Sequence, residues 1–477
     1  MRVSQYYALG STQPTLDFVD VDIIGDTRVF VDPRALRLLP STWGDECVSL
    51  VQDFFTVVLE AIRGNRDTLA RRLLRVLREP NETHLGLSRG RARGRALGHE
   101  SARDVWDALG KSEAVFSGLL EDLEDTILMV EGISSDIISD ITTNIIRQPL
   151  IEYTQSVAAL YGIPLVPDVG SGPMWDPKRG TWFNEYVHLP KTEWGKLLLV
   201  PKVIVRSRMD YDVDEYYRHY LLEHLREVEL NANSELVHLL KDGTPRVTKK
   251  DLALKYGQGK AAIVRETRKH PEVLQRYRDD KHRQYRPPLD HADLAESEGT
   301  PLPDWDELLS ALRVTPPGME GFSQYEKAIE ALLSALFYPS LANPHLQREI
   351  HEGRKRIDLV YTNAGTAGFF AWVAKHYAAA HVFVECKNYE GDPGNPELDQ
   401  LSGRFSPSLG QLGILTCRRF RNKQLFLARC RDTAADHRGF IIALDDDDLA
   451  ALVGERKLHL SRPEFGLLRE RFQSLIL

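Results

Sequence analysis

Cysteine is scarce: Cys47, Cys386, Cys417 and Cys430 are the only four in 477 residues. None stands in a Cys-x-x-Cys spacing, so the sequence offers no finger-type zinc site and no disulfide framework, and a reduced, cytoplasmic compartment fits best. No apolar run approaches the roughly 20 residues that a membrane helix needs, and no charged-then-apolar leader follows Met1, so no membrane partner is expected. A surplus of positive charge is also missing. The formal charge of −8 excludes a histone-like binder, yet it leaves room for a local basic groove, which is all that an enzyme acting on nucleic acid requires. There is no phosphate loop either, because Gly257-Gln258-Gly259-Lys260 lacks the earlier glycine and the Ser or Thr that should follow the lysine.

What is present begins with size. A chain of 477 residues with 42% hydrophobic content should hold two to four domains with proper cores. The clearest boundary runs from Tyr285 to Gly318, which carries Pro287, Pro288, Pro301, Pro303, Pro316 and Pro317 and reads as a linker over 287–316. Upstream, 1–165 reads as mainly helical behind a leading hairpin, in which Phe18 to Ile23 alternates, Gly25-Asp26 turns and Val29-Phe30-Val31 returns. Asp17, Asp20 and Asp22 on that hairpin are expected to be solvated acids rather than a second metal site. Ser88 to Arg95 is an arginine and glycine tract without a helical stripe, and Arg91 and Arg93 suit either phosphate contact or a plain solvated loop.

The next region, 166–286, reads as mixed α/β. Short strands such as Leu197 to Val200 and Val203 to Val205 precede a charged helix over Tyr211 to Leu240. Thr248 should cap a helix over Lys249 to Tyr256, the glycines at 257 and 259 break the chain, and Lys260 to His270 resumes the helical pattern. Two short helices about a glycine turn, bearing Lys249, Lys250, Arg265, Arg268 and Lys269, are similar to a helix-turn-helix, although a helical hairpin of structural purpose fits the same residues.

Most of the chemistry lies in the unit over 317–477. Arg356-Ile357-Asp358-Leu359-Val360 is followed, 27 residues after Asp358, by Glu385 within Val382-Phe383-Val384-Glu385-Cys386-Lys387. The second segment is β-branched and aromatic, as strands are, and side chains two apart on a strand share a face, so Glu385 and Lys387 point together. If Asp358 ends a neighbouring strand, two carboxylates and an ammonium converge. Mg²⁺ takes oxygen ligands and keeps several waters, and Asp358, Glu385 and the Cys386 carbonyl supply a half-shell for it. Upstream, Gly321 to Tyr338 reads as a helix with one apolar stripe. Glu326 falls inside that stripe, where a carboxylate costs free energy unless partnered. Glu330 falls at its edge and is expected to be solvated. A hairpin over His345 to Thr362 turns at Glu352-Gly353-Arg354, and a helix over Phe369 to Ala379 precedes the Glu385 strand. After that strand come a helix over Pro396 to Phe405, a strand over Leu412 to Cys417, a helix over Gln424 to Arg431 and a strand over Phe440 to Leu444.

This order, with Glu on the first helix, Asp on the second strand, Glu-x-Lys on the third and Gln400 on the helix after it, resembles the PD-(D/E)xK nuclease superfamily. It is most similar to restriction-endonuclease branches in which Val384-Glu385-Cys386-Lys387-Asn388-Tyr389 and Gln400-Leu401-Ser402-Gly403-Arg404-Phe405 have counterparts. The likeness covers about the last third of the chain. It departs from the usual pattern at Ile357, where proline is often found, and in the length of the segment before Glu385. The resemblance implies an α/β fold with a restriction-endonuclease-like core, a central mixed sheet flanked by helices, behind a larger mixed α/β N-terminal region. It further implies Asp358, Glu385, the Cys386 carbonyl and Glu326 as contacts to Mg²⁺, which Mn²⁺ would replace, Lys387 as the catalytic lysine, Gln400 as a site residue and Arg404 as a DNA contact.

The function expected on this basis is Mg²⁺-assisted hydrolysis of DNA phosphodiesters in defence against foreign DNA, with the N-terminal region sensing the substrate, a partner protein or an effector. A repair or junction-processing nuclease and a non-catalytic DNA-binding regulator are the alternatives. Cutting both strands would favour a homodimer.

Overall fold

The prolines of 287–316 punctuate helices rather than form a linker. In the computed structural model, which describes residues 1–86, 105, 107–284, 286–350, 355–389, 391–459 and 464–477, this stretch carries helices His291–Glu298 and Trp305–Val314. Each opens on an aspartate cap: Asp290 accepts from the amides of Ala292 and Asp293, and Asp304 from those of Asp306 and Glu307. The prolines sit before and after these helices, where a missing amide costs little. The two helices belong to different cores. Leu294 joins an apolar cluster that runs from Val3 onward, whereas Trp305, Leu309 and Leu312 join a second one that extends to Leu475.

Most of the N-terminal region is built from helices, notably Thr42–Arg63 and Arg147–Tyr161. The expected leading hairpin does not form. Phe30–Val31 pairs antiparallel with Val205–Arg206 instead, and the amide of Val19 donates to the Val200 carbonyl at 3.0 Å. The reason is burial on both sides. Phe18, Val19, Val21 and Ile23 are all buried, so the apparent alternation has no solvent face. The three aspartates do not converge, and two of them are not solvated. Asp20 accepts from the Ser4 amide at 2.8 Å and the Ser4 hydroxyl at 2.6 Å, Asp17 is buried, and only Asp22 stays near the surface beside the terminal ammonium. Leu197 to Val200 is buried chain outside any strand, and the strands between 166 and 206 are short two-stranded pairs. The charged helix runs from Val213 to Asn231 with a π-helical stretch over Tyr216–Leu221.

The C-terminal unit holds a five-stranded sheet. Helix α1 (Phe322–Phe337) precedes strands β1 (Leu341–Ile350) and β2 (Lys355–Asn363), then α2 (Gly368–His376), β3 (His381–Lys387) and α3 (Asn395–Ser402). Strand β4 (Leu412–Cys417), α4 (Lys423–Ala435) and β5 (Phe440–Asp445) follow, and the chain closes with α5 (Asp446–Leu458) and α6 (Gly466–Ile476), which the sequence pattern did not reveal. The tip of the β1–β2 hairpin lies outside the described residues. The order is β1-β2-β3-β4-β5, antiparallel across the first three strands and parallel across the last three. Parallel neighbours need crossovers, and α3 and α4 supply them. Strand β3 is central, with Val382, Phe383, Val384 and Cys386 buried, which explains its unbroken apolar run.

Helix α1 is more deeply enclosed than one apolar stripe requires. Every residue from Leu332 to Tyr338 is buried, because the sheet covers one side and the turn Gln13–Thr15 of the N-terminal unit packs on another. It stops at Tyr338 because Pro339 forces the preceding residue into an extended conformation. Glu330 therefore does not reach solvent. It accepts from the Ser334 hydroxyl at 2.9 Å and the Tyr161 hydroxyl at 3.4 Å, and burial pushes its pKa up to about 7. In the same junction burial takes Glu298 up to about 8 and Lys202 down to about 8.

These shifts set a pH dependence. The folded chain keeps protons on Glu330 and Glu298 that the unfolded chain releases near 4.5, so their contribution to stability is full below that pH and is lost as pH rises through 7 and 8. Lys202 acts in the opposite sense only between about 8 and 10.5. The melting temperature is thus expected to fall between pH 6 and pH 8.5. Glu298→Gln, which does not titrate, should gain on the wild type by roughly 2–3 kcal/mol between pH 6 and pH 8.5. Parallel melting curves for the two proteins would refute this assignment.

Candidate active site

Strands β2 and β3 bring the motif together. Their last ladder pair is Leu359 with Val384, so Asp358 lies just past the ladder, beside Glu385. The Cys386 amide donates to Asp358 Oδ2 at 2.9 Å, which holds the carboxylate where a ladder carbonyl would otherwise sit. Glu385 is 1% exposed. Its Oε1 accepts from Lys387 Nζ at 2.7 Å, and Lys387 also donates to Gln400 Oε1 at 3.2 Å. Its Oε2 is paired with the Arg404 guanidinium. Burial raises the pKa of Glu385, the neighbouring Asp358 charge raises it further, and Lys387 and Arg404 oppose both. Glu326, also buried, approaches the same strand from α1: its charge helps to raise the pKa of the Cys386 thiol, after burial and the charge of Asp358.

Glu385, Lys387, Gln400 and Arg404 are therefore linked by direct contacts, Asp358 is held beside them by the Cys386 amide, and Glu326 adds a third carboxylate within electrostatic reach. Arg404 differs from expectation. It is 6% exposed and bound to Glu385, so it is an internal counter-ion rather than a DNA contact. Helix α3 ends at Ser402, and the chain then turns back toward the sheet and carries Arg404 inward.

Two residues of the third-strand motif that drew no role in the sequence act as positioning groups. Asn388 Nδ2 donates to the carbonyls of Pro316 and Gly318 at 2.9 and 3.0 Å, which ties the approach to α1 onto the end of β3. The Tyr389 hydroxyl donates to Glu397 Oε1 at 2.6 Å, and the other oxygen of Glu397 accepts from the Gly394 amide at the start of α3. The placements of Glu326 and Gln400 thus depend on their strand neighbours.

The donor set suits a hard divalent cation. Two adjacent carboxylates repel one another in a buried place, and a bound Mg²⁺ would oppose that repulsion alongside Lys387 and Arg404. Asp358, Glu385, the Cys386 carbonyl and Glu326 are the oxygens that would hold it.

The basic segment is folded as two helices, Lys249–Tyr256 and Gly259–Lys269, and Thr248 caps the first by accepting from the Asp251 amide. Its charges are partly committed. Arg265 and Lys269 both pair with Glu266, at 2.7 and 2.9 Å, Arg268 lies 3.6 Å from Glu113, and Lys249 lies 2.9 Å from Glu223. Lys250 is exposed. Arg91 and Arg93 lie outside the described residues.

Residues 8–212 match the model of a family described as a domain of unknown function, DUF8370. The match ends well before the five-stranded sheet. No curated protein and no solved structure matches the chain.

Proposed function

We propose that the chain is a metal-dependent DNA endonuclease whose C-terminal unit is a restriction-endonuclease-like core. The carrying observation is the convergence of Asp358, Glu385, Lys387 and Gln400 at the end of the β2–β3 pair, with Glu326 approaching from α1. The mixed sheet, with its motif-bearing strand at the centre, supports the same reading.

Mg²⁺ or Mn²⁺, when bound, supplies a water of lowered pKa and positive charge opposite the phosphoryl oxygens. The chain's own residues then have distinct tasks. Asp358 and Glu385 provide negative oxygens on adjacent strands. Arg404 holds one Glu385 oxygen, which leaves the carboxylate a single orientation. Lys387, with Glu385 and Gln400 as acceptors, keeps its ammonium in the same small volume and offsets charge that develops on the transition state. A role in defence against foreign DNA extends this reading by analogy with restriction enzymes.

The test is nicking of supercoiled plasmid by the purified chain in Mg²⁺ or Mn²⁺ and in EDTA. Metal-dependent nicking supports the proposal; a gel shift without nicking in either metal would instead mark a DNA-binding regulator. If the basic helices contact DNA, replacing Arg265, Arg268 and Lys269 together with alanine should lower the salt slope of binding by about 0.9 per lost phosphate contact. An unchanged slope would make the segment structural. Arg91 and Arg93 can be tested in the same way, and the effect expected there is smaller.

A further inference from the structure

Two histidines and a glutamate meet in the N-terminal region. His224 sits on helix Leu222–Asn231, His270 stands at the junction of helices Gly259–Lys269 and Pro271–Arg283, and Glu272 lies in the first turn of the latter. His224 Nε2 is 3.0 Å from His270 Nδ1, and Glu272 Oε1 is 3.4 Å from the first and 3.5 Å from the second. Ligands held about 2.0–2.1 Å from Zn²⁺ in a tetrahedron lie about 3.3–3.4 Å from one another. The three atoms thus already form one face of that tetrahedron. We infer that His224, His270 and Glu272 bind a Zn²⁺-class transition metal, with the fourth position left to water.

The groups are suited to it. One proton between the two rings satisfies a single pair, whereas a cation between all three satisfies every acceptor together. Burial, with His270 and Arg276 nearby, lowers the pKa of His224, while Glu272 opposes the shift. Arg276 opposes a bound cation, while Glu227, also near His224, favours it. Two imidazoles with one carboxylate suit zinc, copper or nickel rather than Mg²⁺, which separates this site from the one on β2 and β3. The backbone is fixed in advance, because the His270 amide donates to the carbonyls of Glu266 and Thr267 at 3.1 Å and Pro271 starts the next helix. Glu272 is 61% exposed, which leaves the remaining coordination position facing solvent. The metal would clamp the helix bearing His224 to the second helix of the basic pair. This inference stands apart from the nuclease reading.

The test uses the full-length chain, stripped with EDTA, dialysed and titrated with Co²⁺. The expected result is the visible absorption of four-coordinate cobalt, saturating at one equivalent and displaced by Zn²⁺. Glu272→Gln, a change at an exposed position, and His224→Ala should each weaken Zn²⁺ affinity by more than about 100-fold, beyond the range for loss of an outer-shell partner. Asp358→Ala should leave the cobalt spectrum unchanged. The assignment is overturned if the wild type gives no such spectrum, if Glu272→Gln retains wild-type affinity, or if the spectrum disappears with Asp358→Ala.

Discussion

Asp358→Ala and Glu385→Gln are each expected to lower cleavage by at least about 1000-fold, on the order of 4 kcal/mol of transition-state stabilisation, while leaving DNA binding largely intact. Both remove an oxygen charge that would hold the metal, and neither is a phosphate contact. Glutamine is the better probe at 385. Alanine there would strand the buried Arg404 without its counter-ion, and breaking such a pair typically costs about 3–5 kcal/mol of stability. Alanine at 358 removes the acceptor of the Cys386 amide, a smaller cost of about 1–3 kcal/mol. Calorimetric binding of Mg²⁺ or Mn²⁺ that survives both changes would remove these residues from the ligand set. Lys387→Ala should behave differently, retaining metal but losing cleavage, because its ammonium acts on the water or the transition state. Wild-type turnover in that variant would take Lys387 out of the mechanism.

The second large effect is expected at Glu326. It is buried on α1 and its charge is felt at Cys386 on β3, next to Glu385. Glu326→Gln should cut activity by roughly 10- to 1000-fold with the fold preserved, as expected for loss of an electrostatic or acid–base contact. Glu330 lies one turn further along the helix but faces Tyr161 and Ser334. Glu330→Gln should change stability at alkaline pH and leave the chemistry alone. If the two phenotypes are exchanged, the roles assigned to the two positions on α1 are reversed; if both variants are fully active, α1 contributes packing only.

The C-terminal unit was legible because its signals are local. Strand β3 is a short apolar run between a small-residue segment and Asn388, and α1 carries a helical repeat over sixteen residues. The proximity of Asp358 and Glu385 could also be anticipated on the condition that their strands are neighbours, which β2 and β3 are. Arg404 could not, because its inward turn depends on where α3 stops. Glu330 was misjudged for a related reason: a helical wheel shows one apolar stripe but not a second body packed against the other side. In the N-terminal region the pattern misled. Asp17 and Asp20 look like solvent-facing acids, yet Asp17 accepts from the Tyr153 hydroxyl at 2.7 Å and from the Asn343 amide at 2.8 Å. Partners so distant in sequence leave no local trace. The same holds for the histidine pair, whose members are 46 residues apart and meet only after three helices have packed.

Helix α1 has a mechanical consequence. Glu326 and Glu330 are four residues apart, about 6 Å along the axis at 1.5 Å per residue, but one looks toward the strand-end carboxylates and the other toward Tyr161. A helix this short, enclosed over its second half, moves as a stiff rod rather than by bending. Its leading end is tethered through Asn388 to the tip of β3, and its far end is gripped by the N-terminal unit. A displacement of Tyr161 in the N-terminal unit would therefore be felt first at Glu330, one turn from Glu326. The lever needs no mobile linker, because the two cores share it.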